Sequence, residues 1–420
     1  MFDAYAPLLS LDDALARLTA GALPARICDV ETVSTLDALG RVLAADVVSA
    51  IDLPPADNSS MDGYALRVAD VPHAGVVLPV SQRLPAGAVG AALVAGTLAR
   101  VFTGAWLPAG ADAVAMQEQC EVTDAGGVRV DALPSVGQWI RRRGEDVRVG
   151  STVLARGSRL TPQALGLAAS VGAATLQVLR RPRVALLSTG DELVMPGTVA
   201  PQGLPPGAIY NANRFTLRGL LQAAGCEVTD LGIVPDRLDA TRAALRDAAS
   251  AHDLILSSGG VSVGEEDHIK PAVAAEGQIA LWQVAIKPGK PLAFGAIRRP
   301  GAGAAECLFI GLPGNPVSSF VTFVLAVAPV LRTLQGLPTT PPQALRLPAH
   351  FDWPRPDRRR EFLRVRRNAQ GGLDLFANQS SGVLTSVVWA DGLVDNPPGK
   401  AIARGDLVNF HALAGLIGVS

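Results

Sequence analysis

Three segments of this chain place glycines, hydroxyls and acids where apolar runs stop. Ser188-Thr189-Gly190-Asp191-Glu192 follows Val184 to Leu187. Ser258-Gly259-Gly260-Val261-Ser262-Val263-Gly264 closes the run Asp253 to Ser257. Gly311-Leu312-Pro313-Gly314-Asn315-Pro316 follows Cys307 to Ile310. Glycines let backbone N–H groups approach an anion closely, and a following helix start adds positive potential. Hydroxyls at Ser188, Thr189, Ser258 and Ser262 add donors, and Lys287-Pro288-Gly289-Lys290-Pro291 adds two ammonium groups. Asp191, Glu192, Asp236, Glu265, Glu266 and Asp267 would repel an anion unless a divalent cation bridged them, and Mg²⁺ is the usual choice with oxygen ligands. These residue types point to a phosphorylated small molecule bound together with a metal ion.

Each feature has a plainer reading. A Gly-rich turn in an α/β protein is more often a tight strand–helix connection, and Gly259-Gly260-x-x-x-Gly264 is neither a P-loop nor GxGxxG. Each acid alone is more often a solvated turn residue or a helix cap. The weight comes from three such turns falling at one edge. Asp57-Asn58-Ser59-Ser60-Met61-Asp62-Gly63-Tyr64-Ala65 reads by default as an Asx-rich turn, and Thr103-Gly104-Ala105 as a strand end. Arg141-Arg142-Arg143-Gly144-Glu145-Asp146 is either a solvated charge run or a loop ordered at a site.

The elements that must position these residues follow from periodicity. From Arg180, apolar runs alternate with helical spacing. Strands are expected at Val184–Leu187, Val228–Val234, Asp253–Ser257, Leu281–Ile286 and Cys307–Ile310. Helices are expected at Phe215–Ala224, Leu238–Ala249 and Val317–Leu334. That rhythm predicts a doubly wound α/β domain with a parallel-rich sheet over 180–334, and ligands bind such sheets beyond the carboxyl ends of the strands. Ser10 caps a first helix, and Thr161-Pro162 starts another. These two are expected to pack together as a small helical domain (1–48 with 147–179) around a β-rich insertion (49–146). After a Pro-rich linker, alternating runs predict a C-terminal β-barrel (335–420).

Bulk composition narrows the function. At 420 residues the chain holds several domains, and 49% hydrophobic residues can fill their cores. A net charge of −1 argues against nucleic-acid binding. Four scattered cysteines and five scattered histidines form no zinc or redox motif. Mean hydropathy is +0.28, but the longest uncharged stretch, Cys307–Leu331, is broken by Pro313-Gly314-Asn315-Pro316. It reads as a strand, a turn and a buried helix, with no membrane span. The acidic N-terminus is no signal peptide.

Taken together, DNSSMDGYA (57–65), FTGAWLP (102–108), RRRGED (141–146), STGDEL (188–193), SSGGVSVGEEDH (257–268), KPGKP (287–291) and LPGNPVS (312–318) resemble the MoeA-type molybdopterin molybdenumtransferase family, in the family's order. The resemblance covers nearly the whole chain, more loosely at the C-terminus. It implies a cytoplasmic homodimer of four-domain subunits, with the second domain of one subunit covering the α/β crevice of the other. The implied reaction takes adenylylated molybdopterin and molybdate and gives molybdenum cofactor and AMP, with Mg²⁺. Catalytic positions carried over are Asp62, Thr103, Asp146, Glu192, Asp267, Lys287 and Lys290. Glu192, Asp236 and Asp267 are implied at the metal. Ser188, Thr189, Gly190, Asp191, Ser258, Gly259, Gly260, Ser262, Gly264, Pro313, Gly314, Asn315, Pro316 and Ser318 are implied at the substrates, with Arg364 and Ser381 as further oxyanion contacts. Gln283 departs from the family, some bacterial members carrying Lys there.

The implied chemistry is coherent. Molybdate is a hard dianion suited to Lys, Arg and hydroxyls, while the pterin dithiolene supplies sulfur, so no cysteine cluster is needed. Partners implied are a molybdopterin adenylyltransferase upstream and a molybdoenzyme downstream. Three rivals stand beside this reading: a molybdopterin adenylyltransferase, a non-catalytic scaffold that binds a receptor peptide, and a nicotinamide-nucleotide amidase. The first needs only the α/β module, the unbroken acid and lysine motifs speak against the second, and the third has no place for DNSSMDGYA.

Overall fold

The computed structural model describes residues 8–261, 268–301, 306–339 and 343–417. Ser262, Gly264, Glu265, Glu266 and Asp267 lie outside the described residues. The chain divides into two compact units, 1–31 with 179–420, and 32–178.

In the first unit the strands are β1 (Arg183–Thr189), β2 (Glu227–Val234), β3 (Leu254–Ser258), β4 (Gly277–Gln283), the two-residue β5 (Ile286–Lys287), β6 (Pro291–Ile297) and β7 (Cys307–Leu312). Six of them form one sheet in the order β2-β1-β3-β7-β6-β4. The first four run parallel, and β6 and β4 are antiparallel. Apolar runs without alternation arise because both faces are covered. Val184, Leu186, Leu254 and Leu256 face one cluster, and Ala185, Leu187 and Ile255 face the other. The expected strand at Leu281–Ile286 is instead the end of a hairpin. β4 turns back through the lysine loop into β6, which periodicity passes over because Pro291 opens it and Gly295 dilutes it.

The helices are α1 (Leu11–Ala22), α2 (Ala212–Ala223), α3 (Leu238–Ala251), α4 (Ile269–Glu276), α5 (Pro316–Thr322) and α6 (Ala328–Leu334). A π-helical turn, Phe323–Val327, joins the last two. Pro329, which has no N–H to donate and whose ring crowds the preceding turn, accounts for that slip in register. The combined helix, Pro316–Leu334, is apolar and long enough to cross a membrane, but 83% of it is buried in the core.

The Ser10 cap forms as expected, its hydroxyl accepting from Asp13 N. The partner of α1 differs from expectation. Leu11, Ala14, Leu18 and Ala22 pack into the α/β core with Val330, Leu331 and Leu334 of α6, and Gly21 sits where a Cβ would meet the Phe294 ring at 2.6 Å. The helix started by Thr161 (Pro162–Ser170) buries Ala168 in a separate small cluster with Leu43, Leu160 and Val178. Two apolar stripes are visible in sequence; the larger surface that outcompetes their mutual pairing is not.

C-terminal strands β8 (Leu345–Pro348), β9 (Arg360–Arg367), β10 (Leu373–Leu375), β11 (Gly392–Asn396) and β12 (Leu407–Ala412) surround Leu363, Val365, Val394 and Phe410. Their sheet has the order β5-β9-β11-β12-β8, with β10 on β9, and an Ala349–Leu373 bridge turns it back toward β10. The unit 32–178 carries a mixed six-stranded sheet that includes Val76–Leu84 and Leu98–Val101, within the stretch expected to be β-rich.

Candidate functional site

Beyond the carboxyl ends of β1, β3 and β7, within the first unit, lies a cleft of about 620 Å³. The three strand-end turns meet there. Thr189, Gly190 and Glu192 come from the first, Gly259 and Gly260 from the second, and Pro313, Gly314 and Asn315 from the third, with Asp236, Ser318, Lys287, Lys290 and Ser381 beside them.

Sterics explain the glycine pair after β3. Gly259 and Gly260 have φ of +89° and +71°, a region costly for other residues. A Cβ on Gly260 would come within 2.4 Å of Ile269 Cγ1, and one on Gly259 within 3.0 Å of the Thr189 carbonyl oxygen. The turn is thus pressed onto the end of β1. Ser258 is buried and accepts a hydrogen bond of 2.9 Å from Asn213 Nδ2, which also donates to the Gly314 carbonyl at 2.7 Å. Asn213, in the first turn of α2, therefore ties two rim loops together. Ser188 is buried too, and its hydroxyl has no partner within the chain among the described residues. Asp191 is exposed and does not line the cleft, and Pro316 opens α5.

Cations enter from the β4–β6 hairpin. Lys290 is exposed and, among the described residues, makes no salt bridge, whereas Lys287 Nζ lies 3.3 Å from Glu361 and 3.4 Å from Asp357. Arg359 forms a two-pronged pair with Asp357, and that guanidinium holds the Asp357 carboxyl well below the usual carboxylate range. Arg359, Gln379 and Ser380 also line the cleft, and the Ser381 carbonyl accepts from Val317 N at 3.0 Å. The sequence reading did not single out Asn213, Arg359, Gln379 or Ser380. Charge and polarity were their only local signals.

Arg364, expected at the oxyanion, is not at the cleft. It is 1% exposed on the face of β9 opposite Leu363 and Val365, where it donates to Ser386 Oγ and to the Phe362 and Ser380 carbonyls. Burial pushes its pKa down to about 10. The alternation of β9 turns it away from the C-terminal core, and the 380–386 segment covers it, so it supports the Ser380–Ser381 loop from behind.

In the other unit, Asp62 accepts from Thr103 N at 2.7 Å and Thr103 Oγ1 at 2.8 Å, and these bonds hold its carboxyl below the ordinary value. The arginine run is an ordered loop: Arg142 and Arg143 bind Asp57, Arg143 also binds Asp52, and Glu145 accepts from Arg142 N. Burial alone would raise the Asp57 carboxyl, but the Arg143 N–H and Arg142 guanidinium outweigh it and lower it. Asp146 is exposed.

A doubly wound sheet whose Gly-rich strand ends meet acids and the lysines of a neighbouring hairpin, beside a C-terminal β domain, defines an enzyme class built to hold a charged ligand at the sheet rim. Three family descriptions match along the chain: "MoeA N-terminal region (domain I and II)" over 9–172, "Probable molybdopterin binding domain" over 185–333, and "MoeA C-terminal region (domain IV)" over 346–413. The chain belongs to the MoeA-type molybdopterin molybdenumtransferase family, a family of enzymes of molybdenum cofactor biosynthesis. It is 42% identical over 306 residues to the molybdopterin molybdenumtransferase of Haemophilus influenzae, covering 73% of each chain. It is 37% identical over 393 residues to that of Synechococcus elongatus, covering 91% and 94%. The crystal structure of the molybdopterin biosynthesis MoeA protein from Pyrococcus horikoshii superposes with a TM-score of 0.81 at 28% identity, covering 97% of this chain and all of that one.

Proposed function

We propose that this chain inserts molybdate into adenylylated molybdopterin, releasing AMP and molybdenum cofactor in a Mg²⁺-dependent step. The observation that carries the reading is one cleft in which three glycine-rich strand ends, two lysines and two acids converge. Lys290, Ser318 and Ser381 would bind the oxyanion through charge and hydroxyl donors. The glycine turns at 190, 259–260 and 314 would take the phosphates through backbone N–H groups. Asn213 would keep two of those turns in register.

The residues present fit Mg²⁺. Among the described residues no group of three metal-binding side chains exists, but Glu192 and Asp236 both line the cleft. Mg²⁺ is commonly held by one or two carboxylates plus substrate phosphates. Glu192 and Asp236, with Asp267, would hold it, and when bound it would neutralise charge on the pyrophosphate. The proposal includes a cytoplasmic homodimer with a C-terminal β-barrel in each subunit, and roles in the reaction for Asp62, Thr103 and Asp146. It also includes an adenylyltransferase as supplier and a molybdoenzyme as recipient.

The test is an assay of the purified chain with adenylylated molybdopterin, molybdate and Mg²⁺. AMP release that depends on molybdate, and is lost in Glu192→Ala, is the expected result. Adenylylation of bare molybdopterin by ATP, without molybdate-dependent AMP release, would overturn it.

A further inference from the structure

Among the described residues three cationic side chains line the cleft, and two of them are already neutralised. Lys287 lies against Glu361 and Asp357, and Arg359 grips Asp357. Glu361 is 1% exposed. A carboxylate that deep is stable only when paired and hydrogen-bonded, and its second oxygen accepts from Trp353 Nε1 at 2.8 Å and Asn396 Nδ2 at 3.4 Å. The placement is built into the backbone: β5 and β9 pair in parallel with Lys287 opposite Glu361. The C-terminal domain thus takes the lysine strand as its own edge and sets a buried negative charge beside the ammonium.

We propose that Glu361, seconded by Asp357, is a counter-charge that weakens the cleft's hold on its tetrahedral oxyanion and leaves Lys290 as the one lining cation without a salt bridge among the described residues. The inference rests on the oxyanion reading of the cleft. Its physical content is the potential at the pocket: a dianion near a Lys–Glu pair feels a dipole, whereas near a lone ammonium it feels a full charge. A site that must release its anion into a reaction gains from such attenuation.

Glu361→Gln removes one charge while keeping an oxygen for Trp353 and nearly the same shape. Isothermal titration of the full chain with sodium molybdate alone, in a buffer without phosphate or sulfate, reads the effect. We expect Glu361→Gln to bind molybdate about tenfold more tightly, a gain that shrinks in high salt because it is electrostatic. Asp357→Asn, which is more exposed, moves affinity the same way by less, and Lys287→Gln moves it the opposite way. A merely structural role for Glu361 predicts the reverse sign, since a loosened Lys287 would bind less well. Wild-type binding that is lost in Lys290→Ala, with unchanged or weaker binding in both Glu361→Gln and Asp357→Asn, overturns the inference and spares the oxyanion reading. Absence of molybdate binding in wild type, unaltered by any of these changes, overturns both.

Discussion

Gly260→Ala separates the steric account of the rim from a purely chemical one. The backbone φ of +71° costs an Ala about 1–2 kcal/mol. The new methyl would lie 2.4 Å from Ile269 Cγ1 and 3.1 Å from Thr189 Oγ1. Ile269 is 1% exposed and cannot swing away, so overpacking adds about 1–3 kcal/mol. The sum, about 2–5 kcal/mol, lowers the melting temperature of the full chain by roughly 2–6 °C. Gly314→Ala is the control, because Gly314 lines the same cleft and a Cβ there meets nothing within 4 Å. Its stability should stay within about 0.5 kcal/mol of wild type. Thermal unfolding of both variants, followed by circular dichroism, is the assay. If Gly260→Ala melts with wild type while Gly314→Ala falls, the packing of the turn onto β1 and α4 is wrong.

Three further outcomes follow from other parts of the molecule. Asp395 is buried against Arg360; burial alone would raise its pKa, but the guanidinium more than offsets that and lowers it from 3.8 to about 2. A depressed carboxyl stabilises the fold above about pH 4 and loses that contribution as pH falls through about 2, so Asp395→Asn should cost about 2 kcal/mol at pH 7 and flatten the acid limb of a stability–pH curve. Asn213→Ala removes the bonds to Ser258 and Gly314 and should raise KM for the pterin substrate more than it lowers kcat; equal effects on both would contradict a positioning role. Thr103→Val takes one donor from Asp62 while sparing the backbone N–H, so the Asp62 carboxyl should move up toward its ordinary value in an NMR titration with little change in melting.

What sequence can and cannot reveal here divides by range. Short-range signals are faithful: Ser10 and Thr161 both cap the helices they precede, and the glycine turns after β1, β3 and β7 do share one rim. Their spacing depends on local sterics and on a parallel sheet, which the strand–helix rhythm implies. Longer-range choices are hidden. α1 shows an apolar stripe, but nothing in Leu11 to Ala22 says that α6 will take it. Pro291–Ile297 contains Pro and Gly, which demote a strand in any local reading, yet antiparallel pairing on β4 and β7 stabilises it. Arg364 illustrates the same limit within one strand: an arginine opposite the core-facing Leu363 and Val365 reads as a surface or site cation, and only the later 380–386 segment, folding over it, buries it.

The lysine loop joins these two ranges. Lys287-Pro288-Gly289-Lys290 can be picked out from residue types alone, yet its two ammonium groups are not equivalent. Gly289 has φ +111°, and a Cβ there would sit 2.4 Å from Thr322 Oγ1, so the loop is pressed against α5 with no room to reorient. The parallel register of β5 on β9 then places Lys287 beside Glu361, 74 residues away in sequence, while Lys290 makes no salt bridge among the described residues. The charge the cleft presents to an anion is therefore a property of the docked C-terminal domain as much as of the α/β sheet. A motif that reads as two lysines in sequence acts in the folded chain as one lysine and one neutralised pair.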